Sequence, residues 1–206
     1  MSQILRETEV LKIEVKENVA WIGGQWDMPN ASKGYHGLLK TWLIIFGLKG
    51  KGLLVGERAE AVKSVFQKAF PEAKFQTADY SDLTGNIEQE APDIHWNICS
   101  QKHTKDLNMK VNFVICQSVL EHVLDPYGAV FNMLSVLKKG GRLFIHTVSP
   151  KFQQHRFPID CYRFFRDIWI EYATEFEVDI DDLLWLDHHC FVVYRKRRKW
   201  NSFRFY

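Results

Sequence analysis

The 206-residue sequence predicts an α/β sandwich built on a mostly parallel sheet, and three observations carry that prediction. Residues 111–148 read as strand, helix and strand. The β-branched run Val111-Asn112-Phe113-Val114-Ile115-Cys116 comes first, then apolar residues at helical spacing (Val130, Met133, Leu134, Leu137), then Arg142-Leu143-Phe144-Ile145-His146-Thr147-Val148. Strand, helix and strand at this length form a βαβ crossover, for which right-handed parallel pairing is the default. Strands and helices also alternate from residue 53 onward, and the chain closes on two strand-like runs, 176–185 and 190–194.

Each element has its own signals. Residues 1–30 hold no long periodic element. Positions 13–21 suit a short strand or two about Glu17-Asn18, and Trp21-Ile22-Gly23-Gly24-Gln25-Trp26 is a turn between large aromatics, a hydrophobic clamp or a substrate wall. Asn30 or Ser32 can cap a helix over 33–48, with Leu38, Leu39, Trp42, Ile45 and Phe46 on its apolar face and Gly50-Lys51-Gly52 ending it. A short buried strand follows at 53–56. The helix expected at 57–70 carries Ala61, Val62, Val65, Phe66 and Ala69 on one side and stops before Pro71. Strands are expected at 74–79 and 93–98, with polar connections at 80–92 and 100–110. The crossover helix is expected to span 127–138 and to leave through Lys138-Lys139-Gly140-Gly141, a cationic last turn and a glycine exit. Beyond 148, a loop holding Pro150 and Pro158 leads into a helix over 162–176 whose inner face is Phe165, Ile168, Trp169 and Tyr172.

Composition bounds the function. Apolar residues make up 46% and charged residues 25%, ordinary globular values, and the net charge of +2 gives no global case for nucleic acid. The four cysteines (Cys99, Cys116, Cys161, Cys190) form no CxxC pair, and without a leader they are expected to be reduced thiols of a cytoplasmic protein. No apolar run reaches membrane-spanning length.

The order of signals resembles the class I S-adenosylmethionine-dependent methyltransferases, in particular the small-molecule group called type 11. Leu120-Glu121-His122-Val123 with Asp125-Pro126, followed one helix later by Leu137-Lys138-Lys139-Gly140-Gly141, is similar to that family's fourth strand, loop, helix and fifth strand. Phe157-Pro158-Ile159-Asp160-Cys161-Tyr162-Arg163-Phe164 resembles the segment many members carry after the fifth strand. The resemblance implies a Rossmann-like three-layer sandwich, with a mostly parallel seven-stranded sheet and an antiparallel C-terminal strand. It divides the chain into an N-terminal extension and helix at 1–50, a methyltransferase-like domain at 51–195 and a basic aromatic tail at 196–206.

It also implies S-adenosylmethionine as cofactor, with Gly56, Asp79, Asn97 and Gln117 lining it. The family's first strand ends in an acid and a glycine-rich turn, because bare backbone lets the donor approach. Here Gly56 matches the first glycine, Leu54 replaces the acid, and Arg58 and Glu60 stand at the other glycine positions. Asp79, 23 residues after Gly56, matches the acid that accepts ribose hydroxyls. Asn97 falls where an acid often meets adenine, and an amide offers both donor and acceptor there.

His122 and His155 are the candidate catalytic bases, since an imidazole titrates near neutrality. His122 with Glu121 is otherwise a pocket wall or a loop-orienting pair. Asp160 and Arg163 lie in the same Pro-bounded loop as His155. They are expected either to hold substrate, Arg163 through a bidentate contact, or to pair with each other. His146, inside a strand, reads as a satisfied core histidine. Asp187-His188-His189-Cys190 is not expected to bind metal, because adjacent strand residues point to opposite faces; no metal ligand is assigned. Arg195-Lys196-Arg197-Arg198-Lys199 with Trp200, Phe203 and Phe205 reads as a solvated end. Two functions follow: methyl transfer to a small-molecule acceptor (a sugar, lipid or natural product, at oxygen or nitrogen), or a methyltransferase-like domain that binds without catalysis.

Overall fold

The computed structural model describes residues 43–80, 91–155, 159–198 and 200. The strands and aromatic clamp expected within 1–30, most of the helix expected at 33–48, and Phe203 and Phe205 lie outside the described residues. So do 81–90 of the polar connection.

The sheet has seven strands: β1 (Gly50–Val55), β2 (Ala73–Asp79), β3 (Ile94–His95), β4 (Val111–Gln117), β5 (Leu137–Val148), β6 (Asp179–Trp185) and β7 (His189–Arg195). Their spatial order is β3-β2-β1-β4-β5-β7-β6. Strands β1 to β5 pair in parallel, whereas β7 runs antiparallel to both β5 and β6. The helices lying wholly among the described residues are α1 (Glu60–Ala69), α2 (Gln101–Asp106), α3 (Pro126–Ser135) and α4 (Arg166–Glu175), with a 3₁₀ turn at Leu120–His122; residues 43–46 are helical as well. The expected mostly parallel sandwich is thus observed.

Alternation along the central strands builds two apolar layers. Val114, Cys116, Leu143, Ile145, Val192 and Tyr194 face one side, where Met133 and Leu134 of α3 and Trp169 and Tyr172 of α4 cover them. Phe113, Ile115, Phe144, Phe191 and Val193 face the other, against Val62 and Phe66 of α1 and Leu43 and Leu48 before β1. This second layer is rich in rings. Phe75 lies 5.4 Å from Phe113 and 5.5 Å from Phe66, both tilted or edge-on, the geometry that aromatic quadrupoles favour.

Several boundaries differ from the sequence reading. The strand expected at 53–56 begins at Gly50, so Gly50-Lys51-Gly52 belongs to the strand and does not end a helix. The reason lies across the sheet: a Cβ on Gly52 would stand 1.9 Å from Cε2 of Phe113, so the small residue makes room for the ring. Gly52→Ala is expected to destabilise the protein by about 2 kcal/mol through overpacking, read as a lower midpoint in urea.

The crossover helix ends at Ser135, and Lys138-Lys139-Gly140-Gly141 lies within β5 instead of closing the helix. Asp125 caps α3, accepting from the Gly128 N–H at 2.8 Å, with Pro126 in the first turn. Beyond Val136 the chain pairs with β4 at once, Leu137 opposite Val111. The register then shifts, so that Arg142 faces Phe113 and the extra residues bulge at Gly140, φ +79°.

The polar connection expected at 100–110 contains α2, for which Ser100 Oγ accepts from His103 N–H. The strand expected at 93–98 shortens to Ile94–His95, because Trp96 turns into the core and its indole N–H donates to Thr104 at 3.0 Å. The helices expected at 57–70 and 162–176 occupy Glu60–Ala69 and Arg166–Glu175.

The basic run after β7 is not wholly a solvated end. Lys196 is buried, and its Nζ donates to the carbonyls of Leu134 at 2.9 Å and Leu137 at 3.0 Å, closing the C-terminal end of α3 over the Trp200 ring. Burial pushes its ammonium pKa down to about 7. Trp200 is anchored by its own N–H to the Phe176 carbonyl at 2.6 Å.

Candidate functional site

The strand order reverses between β1 and β4, and the crevice outside the carboxyl ends of strands at such a switch point is where open α/β sheets bind ligands. Gly56 directly follows β1, Asp79 ends β2, Gln117 ends β4, and Asn97 follows β3. The four residues expected to line a cofactor therefore share one sheet edge.

Their surroundings fix what each can do. Gly56 has φ +78°, a conformation glycine adopts without strain, and its N–H donates to Ala78 at 2.8 Å. A Cβ there would lie 2.3 Å from Cγ2 of Val119, so the loops after β1 and β4 touch at this point. Glu57 turns its carboxylate back onto the backbone, accepting from the N–H groups of Arg58 and Ala59 at 2.8 Å each. Arg58 reaches across to β2, and its Nε donates to Asp79 Oδ2 at 2.5 Å. The second Asp79 oxygen accepts from the Tyr80 N–H at 2.7 Å. Asn97 uses its carbonyl oxygen on the Cys99 N–H at 2.9 Å, opening the turn into α2. Ser118, with φ +49°, directly follows β4 and holds His146, as its Oγ lies 3.3 Å from His146 Nδ1.

A second group gathers past β4 and β5. Glu121 is fully buried, and one of its oxygens accepts from the Thr147 hydroxyl at 2.7 Å. His122 Nδ1 lies 2.5 Å from the carbonyl of Ile159, which can only accept, so this nitrogen carries the proton. The free Nε2 then faces Glu121 Oε1 at 3.9 Å. The His122 and His155 rings meet edge to face with centroids 4.8 Å apart, so the structure brings the two candidate bases together.

Asp160 and Arg163 are paired with each other, Nη1 to Oδ1 at 2.5 Å and Nη2 to Oδ2 at 2.7 Å. The same guanidinium also donates to the carbonyls of Phe152 at 3.0 Å and Gln153 at 2.8 Å. It staples the loop that presents His155, whose backbone N–H donates to Asp160 at 2.6 Å. The Arg163 guanidinium, helped by that N–H, holds the Asp160 carboxyl down to about 2. A depressed folded value means a contribution to stability that is fully present above the ordinary aspartate range. It is lost as pH falls from about 4 toward 2. Asp160→Asn is expected to flatten this part of the acid unfolding curve, followed by circular dichroism.

Among the other candidates, His146 is buried, its Nε2 3.1 Å from His189 Nδ1, as a satisfied core histidine should be. His188 instead meets the Lys151 carbonyl at 3.0 Å, and Cys190 is buried. Three features escaped the sequence reading: the Arg58–Asp79 pair, the Glu57 cap and the complete burial of Glu121. Arg58 had a signal in standing at a glycine position and Asp79 in matching the ribose acid, but nothing in the spacing joined the two.

No family model matches the chain. A ubiquinone biosynthesis O-methyltransferase of Coxiella burnetii is 34% identical over 56 residues, 27% of this chain and 24% of that protein, so the match spans about a quarter of the relative's length. An O-methyltransferase family protein from Burkholderia thailandensis has a similar structure, with a TM-score of 0.58 and 11% identity over 82% of this chain and 57% of that one. The N-terminal domain of EvdMO1, solved with SAH bound, has a TM-score of 0.52 and 13% identity, covering 79% of this chain and 84% of that one. The chain therefore shares the Rossmann-like fold of these methyltransferase structures.

Proposed function

We propose that this chain, with its class I methyltransferase fold, transfers a methyl group from S-adenosylmethionine to an oxygen or nitrogen of a small molecule such as a sugar, lipid or natural product. The observation that carries the reading is the Asp79 carboxylate at the end of β2, beside Gly56 and the β1/β4 switch point.

The chemistry of this donor set fits the adenosine half of the group. Asp79 keeps 27% of its side chain exposed and can accept two vicinal hydroxyls, and the Asn97 amide nitrogen can serve an adenine. Arg58 has to turn aside for Asp79 to do so. When bound, the group supplies a methyl already activated by its sulfonium. The protein's part is alignment, with the acceptor held so that its nucleophile points at the switch point. Proton removal falls to His122 or His155. The Nδ1–H bond to Ile159 leaves the lone pair of His122 on Nε2, while the Asp160–Arg163 staple fixes the backbone of His155. Asp160, fully buried, and Arg163 act as positioning residues in this account.

A second reading, a binding domain without catalysis, is favoured by the same Arg58–Asp79 pair and by the Glu57 cap, which fill positions a donor would use. Calorimetry with S-adenosylmethionine and S-adenosylhomocysteine separates the two. Methyl transfer requires saturable binding, and Arg58→Gly should tighten it several-fold by freeing Asp79. No heat at millimolar ligand, for either the wild type or Arg58→Gly, would leave only the binding domain.

A further inference from the structure

At the carboxyl ends of β4 and β5, three side chains bring metal-ligating atoms close together. A carboxylate oxygen of Glu121 and one ring nitrogen each from His122 and His155 all lie within 4.8 Å of one another. Glu121 is fully buried, yet only its Oε2 is used, by Thr147; Oε1 has no hydrogen-bond partner among the described residues. The buried Nδ1 of His155 is likewise without a hydrogen-bond partner there, with Asp160 Oδ2 standing 3.6 Å away. His122 adds the Nε2 lone pair that its bond to Ile159 leaves free.

Electron-pair donors gathered this closely repel one another unless a proton or a metal ion lies among them. The 3.9 Å between His122 Nε2 and Glu121 Oε1 is too long for a hydrogen bond, so no proton is shared between them. One metal ion can serve all three: with bonds of roughly 2.0–2.2 Å, two of its ligand atoms stand up to about 4.2 Å apart, so the 4.8 Å span has to close by a fraction of an ångström as the ion binds. The supporting contacts have the form such sites use, a backbone carbonyl on the far nitrogen of one histidine and a hydroxyl on the second carboxylate oxygen. Two imidazoles and one carboxylate suit zinc, cobalt or ferrous iron rather than magnesium or calcium, and three protein ligands leave a coordination position open.

We propose that Glu121, His122 and His155 bind one divalent cation of the zinc class on the acceptor side of the sheet edge. Holding an ion and taking up a proton are alternative uses of the same imidazole lone pairs, so the inference extends the reading of this site. It is nevertheless tested without donor or acceptor, and its failure leaves methyl transfer standing. The probes are Zn²⁺ in calorimetry and Co²⁺ in visible absorption, added to chelator-treated full-length protein. One equivalent should bind saturably, and the cobalt complex should show d–d bands without a thiolate charge-transfer band. His155→Ala, at a partly exposed position that the fold tolerates, and Glu121→Gln should each weaken binding at least about tenfold, whereas Cys161→Ser should leave it unchanged. Absent binding, binding indifferent to His155→Ala, or binding lost with Cys161→Ser would each overturn the proposal.

Discussion

Asp79→Ala is expected to weaken S-adenosylhomocysteine binding on the order of 100-fold. A carboxylate accepting two hydroxyls contributes charge-assisted hydrogen bonds of about 1.5 kcal/mol or more each, and about 1.4 kcal/mol corresponds to a factor of ten. In the free protein the same carboxylate is satisfied by Arg58 and the Tyr80 N–H, so part of its binding strength is spent in displacing Arg58. The variant should remain folded, because Asp79 is partly exposed and lies at a strand end. Calorimetric titration of the variant against the wild type reads the effect, and equal affinities would remove Asp79 from the donor site.

Asp160→Ala is expected to be the most damaging single change near the acceptor side, destabilising the protein by about 3 kcal/mol. It removes a fully buried carboxylate and leaves the largely buried Arg163 guanidinium without its counter-charge. The loop carrying His155 loses its anchor at the same time, since the His155 N–H and two Arg163 nitrogens all end on Asp160. Urea denaturation measures the loss. The double variant Asp160→Ala with Arg163→Met should recover part of it, because no unpaired charge then remains buried.

Much of this fold could be read from local pattern. The run 111–116 is β-branched and apolar because β4 is buried on both faces, and such a strand shows itself without any tertiary knowledge. Where the reading failed, the deciding contact was remote in sequence. Lys138-Lys139-Gly140-Gly141 looks like a helix exit, but the pairing of Leu137 with Val111 pulls it into β5. Helix α2 has no buried residue of its own and so no apolar stripe to find.

The candidate site divides in the same way. Placing Gly56, Asp79, Asn97 and Gln117 on one edge needed only element order, since each follows or ends a strand of the parallel half. The Asp160–Arg163 pair is one of the two uses the sequence offers. That Arg58 occupies Asp79, and that a Glu121 oxygen beside two histidines has no hydrogen-bond partner among the described residues, are facts of side-chain direction, and spacing does not encode them.

If the carboxyl edge of β2, β1 and β4 is a donor site whose ribose acceptor is Asp79, a crystal of the protein soaked with S-adenosylhomocysteine should show ribose hydroxyls on the Asp79 carboxylate, with Arg58 turned out of its ion pair. An intact Arg58–Asp79 pair, with the ligand bound elsewhere or not at all, would contradict it.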